Sequence, residues 1–148
     1  MWDLTPDFHG LAASMACDEK LLTELGRVSW AATCLRADVH AVLERLRGPD
    51  PAPSRWPSMG PSLTEDVREL ESIAEGTVLA EWCRSVASNA VSAHDAVVHE
   101  IVHGAPRDDS SGVVCPPERP AYGINELIEV TGRLVNAANT MPADAPSN

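Results

Sequence analysis

LLTELGRVSWAATCLRADVHAVLERLRGPD, residues 21–50, decides the fold. Leu21, Leu25, Val28, Ala32, Leu35, Val39, Val42 and Leu46 recur in alternating steps of four and three. That spacing holds one apolar seam on a single face of an α-helix, where residues three and four apart are neighbours. The run ends at Gly48-Pro49. Glycine takes the left-handed position after a helix, and proline blocks another turn. Upstream, LTPDF supplies Thr5 as an N-cap, Pro6 at the first helical position and Asp7 against the helix dipole. Gly10 and Gly26 interrupt the pattern. The segment is therefore one long helix, or a short helix followed by a long one.

Two further helical segments follow. The linker PDPAPSRWPSMGP, residues 49–61, excludes regular structure, because proline removes donors and restrains its neighbours. Ser62-Leu63-Thr64-Glu65 fits a capping box. From there Val67, Leu70, Ile73, Leu79, Trp82, Val86, Ala90, Val97 and Ile101 trace an apolar face that stops at Gly104. Gly76 is the point where this helix kinks or divides. A second proline-rich loop occupies residues 105–120. The third segment begins near Pro120 and carries Ile124, Leu127, Ile128, Thr131, Leu134, Val135 and Ala138. The tail PADAPSN, residues 142–148, is read as disordered.

The expected architecture is all-α, one domain over residues 1–148: a long antiparallel up-down bundle of three segments. A break at Gly26 or Gly76 would make it four or five helices. The first two segments would each run for about 60 Å at ~1.5 Å per residue, and the third for about half of that. The short third helix leaves an apolar groove on the first two. A second copy of the chain is the plain way to cover it, so the expectation is a homodimer.

Composition removes several function classes. The net charge of −11 argues against nucleic acid, since phosphate contacts need a basic patch. No apolar run approaches the ~20 residues of a membrane span. The N-terminus MWDLTPDFHG lacks a basic segment followed by an apolar one, so the expected location is cytoplasmic. The four cysteines form no C-x-x-C pair. Cys17, Cys34 and Cys83 fall in helical segments and read as small packing residues, while Cys115 falls in a loop. Trp56 and Trp82 read as packing anchors. Glu65, Asp66, Glu69, Glu71, Glu75 and Glu81 read as a solvated acidic face able to dock a basic partner.

One stretch carries a chemical pattern: HDAVVHEIVHG, residues 94–104. His99-Glu100-Ile101-Val102-His103 fits H-E-x-x-H. Residues i and i+4 lie one turn apart on one helix face, so two imidazoles can share a zinc ion while the glutamate activates its water. The stretch resembles the zincin metallopeptidases. In their thermolysin-like branch the third ligand is a glutamate on a following helix, and Asn125-Glu126 is similar to the asparagine-glutamate pair found there. The resemblance implies His99 and His103 as ligands, Glu126 as the third and Glu100 as general base. The sheet that shapes the cleft in that family has no counterpart in this sequence.

Bundle topology brings the same residues together by a separate route. If the first two segments fold about the 49–61 loop, residues summing to about 111 lie level. His9 then lies near His103. The third segment also runs back from that end, which places Glu126 within a turn or two of His99. His9 is thus the alternative third ligand. On a helical wheel His94 falls on the apolar stripe, as a half-buried histidine, whereas His99 and His103 fall on the polar side.

No complete catalytic set emerges. The first functional reading is therefore non-enzymatic: a small acidic cytoplasmic bundle that binds a protein partner or itself and needs no cofactor. The alternative is a zinc-dependent hydrolase at residues 99–103. A third reading is a small-molecule pocket between helices near Trp82 and Cys83.

Overall fold

The computed structural model describes residues 6–13, 18–48, 62–103 and 123–143. Thr5, Trp56, Gly104, Cys17, Cys115, both proline-rich loops and most of the tail lie outside them. The described residues are all-α, without a strand. Their elements are α1 (Phe8–Ala13), α2 (Glu19–Arg47), α3 (Leu63–Ile73), α4 (Val78–Trp82), a π-helical segment (Cys83–Ala87), α5 (Ser88–His103) and α6 (Ile124–Thr140).

The first segment is a short helix and a long one. Asp7 caps α1, its Oδ1 accepting the Gly10 N–H at 3.0 Å. Asp18 caps α2, accepting from Lys20 at 2.8 Å and Leu21 at 3.3 Å. Gly26 does not break α2, which runs on to Arg47. It ends at Gly48, whose φ of 77° lies in the region that favours glycine. The seam is buried at Leu21, Val28, Ala32, Leu35, Val39 and Val42. Leu25 is half-buried, and in the last turn Leu46 is exposed while Leu43 is buried.

The second segment is not a rod of some forty residues. Its capping box forms as expected: Ser62 Oγ accepts from the Glu65 N–H at 3.3 Å, and Glu65 Oε2 accepts from the Ser62 N–H at 2.9 Å. But α3 stops at Ile73, and Gly76 turns the chain at φ 81°. Thr77 then starts a new helix by accepting the Ala80 N–H at 3.3 Å. Two side-chain contacts fix the direction beyond the turn. Thr64 donates to Asp95, and Arg84 donates to Glu71 at 3.1 Å. As α3 advances, its partners fall in number, so the chain doubles back on α3. Gly76 therefore divides the segment, because its backbone conformation is one that L side chains rarely adopt.

Beyond the turn, α4 passes through a wider π turn into α5. Ser88 closes this turn with its N–H and its hydroxyl on the Cys83 carbonyl, the hydroxyl at 2.7 Å. The extra residue places Ala87 fully in the core, where simple periodicity puts Val86.

The two glycines make opposite expectations. A Cβ at Gly26 or at Gly76 would meet no atom within 4 Å. Sterics are thus equal, and backbone conformation decides. Gly76→Ala is expected to lower the urea midpoint by the equivalent of about 1 kcal/mol. Gly26→Ala, in an ordinary helix interior, is expected to raise it by about 0.5–1 kcal/mol in the isolated protomer. Equal shifts of one sign in equilibrium unfolding would contradict this assignment.

Packing centres on α2, which lies chiefly against α6 and also against α3; α5 packs on α6 and α3. Leu35, Leu43, Leu70, Leu127 and Leu134 are fully buried between them. Trp82 is 4% exposed. Its indole N–H donates to the Ala137 carbonyl of α6 at 3.2 Å. Asp66 is buried beside Arg36, with N and O 3.7 Å apart. Burial pushes its carboxyl above the ordinary 3.8, and the Arg36 charge pulls it partly back. The sign follows from linkage: the folded state binds the proton more tightly, so this residue's contribution falls as pH rises through the raised value.

Candidate functional site

α5 carries the whole of His99–His103, so the motif keeps its one-turn spacing. His99 is exposed. The side chains of residues 100–103, including Glu100 and His103, lie outside the described ones. Glu126 sits in the first turn of α6, where its Oε2 accepts the Gly123 N–H at 3.0 Å. That bond satisfies one of the N–H groups left without a helical partner at the start of a helix. His9 lies on α1, whose described side chains are exposed.

Among the described residues, no group of three or more His, Cys, Asp or Glu side chains is placed to hold a metal. The expected nearness of Glu126 to His99 rested on the third segment running back from the end of the second, whereas that of His9 to His103 assumed an unbroken second segment level with the first. The turn at Gly76 removes that register, since it folds the chain back along α3. His94 is half-buried as its place on the stripe implies, with Nδ1 3.3 Å from Asp95 Oδ1.

The acidic run is less solvated than its sequence implies. Asp66 is buried, Glu65 closes a cap, and Glu71 and Glu81 both accept from Arg84. Glu69 accepts the Arg47 Nε–H at 2.9 Å, and this bond holds its carboxyl below the ordinary range. Most of these acids are thus engaged within the chain.

An open concavity among the described residues lies elsewhere, between α2 and α6. It has a volume of about 610 Å³ and is lined by Gly26, Trp30, Cys34, Thr131, Val135 and Ala138, with Arg27 and Asp38 also on its walls. Trp30 is 71% exposed and Val135 44% exposed. Thr131 Oγ1 is buried and has no hydrogen-bond partner among the described residues. Trp82 and Cys83, near which a pocket is expected, are both buried in the core. The groove's tryptophan and cysteine are instead Trp30 and Cys34, which following the single seam of α2 overlooks. A legible signal was present: a tryptophan standing off the apolar stripe of an amphipathic helix.

Of the two described cysteines, Cys83 meets the expectation of a packing residue and Cys34 does not. Cys34 is exposed rather than packed, while Cys83 is fully buried. Burial, with Glu71 nearby, pushes the Cys83 thiol up to about 11. Iodoacetamide at pH 8, at a protein concentration low enough to leave the groove unoccupied and read by peptide mapping, should modify Cys34 readily. It should reach Cys83 about a hundredfold more slowly or worse until the chain is unfolded. Comparable rates in the native protein would contradict the burial.

No protein-family model, no curated protein and no solved structure matches the chain.

Proposed function

We propose that this chain is a small acidic helical protein that acts by binding protein, another chain or a copy of itself, through the groove between α2 and α6. One observation carries the reading: Trp30 stands 71% exposed on the groove wall. Tryptophan is among the side chains that contribute most when an interface closes, since it brings a large rigid apolar area. Val135 and Ala138 continue the apolar lining on α6. The net charge of −11 favours protein over nucleic acid as the partner. Among the described residues no helix is long and apolar enough to cross a membrane. In this reading the helices form an up-down antiparallel bundle, and the protein works in the cytoplasm.

Site-specific photo-crosslinking tests it. A photoreactive side chain at Val135 or Ala138 should capture one discrete protein species in cells, while the same group at exposed Val78 should not. No capture from the groove, or equal capture from Val78, would end the reading. The experiment is indifferent to whether the captured species is this chain or another.

A second reading keeps zinc. It is favoured by the continuity of α5, which holds His99 and His103 one turn apart at its end. In it the two histidines are ligands, Glu126 or His9 is the third, and Glu100 is the base of a hydrolase. Protein purified without chelator would then carry near-stoichiometric zinc, lost in a His99→Ala, His103→Ala double variant. Metal-free protein with unchanged stability after that double change would exclude it.

A further inference from the structure

We infer that the groove's occupant is a second copy of this chain, docked through α2 in reversed direction, so that Arg27 of one protomer meets the partner's Asp38. This rests on the reading of the groove as a binding face and identifies what binds there.

The first argument is the order of charges on that face. Arg27, Trp30, Cys34 and Asp38 fall within a sector of about 80° on α2. A cation stands at one end of this stripe and an anion at the other, about 16 Å apart along the helix. Reversed end for end, the stripe presents opposite charge at each position. Such a face is complementary to its own copy across a two-fold axis, which an isologous interface requires. An unrelated partner gives no reason for that inversion. Asp38 has no ion pair among the described residues. Arg27 bonds Glu24 of its own helix at 2.5 Å with its side chain 62% exposed, so it keeps donors for the partner's carboxylate.

Available area is of the same order as a dimer interface needs. α2 has 29 residues and α6 has 17. At ~1.5 Å per residue and a helix width of about 10 Å, the face they share is limited by α6 and offers on the order of 500 Å². A stable interface takes about 800 Å² from each partner.

Gly26 is the third support. Neither its φ nor its surroundings require a glycine, since a Cβ there would meet nothing within 4 Å. In a helix interior it costs about 0.5–1 kcal/mol relative to alanine. On the groove wall, a residue without Cβ lets a neighbouring helix approach closely. The overall charge of −11 opposes association, but the stripe itself carries one charge of each sign and is locally neutral.

Light scattering and sedimentation equilibrium of the full chain at about 100 μM test the inference. Wild type should weigh twice the protomer mass of 15.8 kDa. Trp30→Glu should run as a protomer with unchanged helical circular dichroism, because the side chain it alters is exposed. Arg27→Asp and Asp38→Arg should each weaken the dimer by at least about tenfold, since each homodimer then faces like charges. An equimolar mixture of the two should recover dimers, as both cross-pairs are again opposite in sign. This mixing experiment decides the matter even if Trp30→Glu fails to fold. Wild type that stays at the protomer mass overturns the second copy, while a groove crosslink to a different protein would still sustain the binding reading. A dimer that survives Trp30→Glu and both charge reversals overturns this face.

Discussion

Trp82→Ala is expected to lower the free energy of unfolding by about 3–5 kcal/mol, read as the shift in urea midpoint by circular dichroism at 222 nm. Domains of this size hold about 5–15 kcal/mol in total, so much of the folded population is at stake. The reason is where the indole sits. Trp82 ends α4, immediately before the π turn, and only 4% of it is exposed. Its N–H reaches the Ala137 carbonyl on α6, fifty-five residues away in sequence. Truncation therefore removes a large apolar contact and the hydrogen bond that ties α4 to α6. Trp82→Phe separates the two effects. It keeps most of the ring and loses the donor, and should cost about 1–3 kcal/mol. A loss below about 1 kcal/mol for the alanine variant would show that the indole does not anchor α6.

Leu35→Ala is expected to cost about 2–5 kcal/mol, and Trp30→Ala less than about 0.5 kcal/mol, although the tryptophan deletion removes more atoms. Leu35 is 0% exposed in the centre of α2, whereas Trp30 on the other side of the same helix is 71% exposed. A cavity opened at Leu35 is lined on every side by packed neighbours, so its walls lose contacts they cannot regain. At Trp30 the lost surface was already in water. Unfolding of both variants at a protein concentration below the dimer range isolates this contrast. If Trp30→Ala proved as costly as Leu35→Ala in the protomer, the side chain would belong to the core, and the groove would lose its central residue. The pair thus distinguishes the face that holds the fold from the face offered to a partner.

The fold was legible wherever the signal is local. The seam of α2 follows from spacing alone, as do the Ser62–Glu65 box and the glycine after Arg47. Gly76-Thr77 was half legible: the glycine marks a break, and the threonine after it is a helix N-cap signal. Periodicity ran on across the pair, and this favoured a single long helix. The π turn at Cys83–Ala87 has no local marker that apolar counting registers. Burial of the next turn therefore shifted by one residue, from Val86 to Ala87. Placing His9 beside His103 assumed that the two segments run level, and the positive φ at Gly76 removes that assumption.

The order of the chain by itself determined the helical class, the buried face of α2, the helix ends at Gly48 and Ser62, and a net charge of −11. These are consequences of spacing, capping and sign, which neighbouring residues settle among themselves. Tertiary structure alone decided which exposed groups became a surface. Trp30 and Cys34 lie on α2, and Thr131, Val135 and Ala138 lie on α6, about a hundred residues further along the chain. The groove exists because α6 docks along α2, an arrangement set by the shape and burial of many distant side chains together. The same docking closed the core over Trp82 and left Trp30 in water.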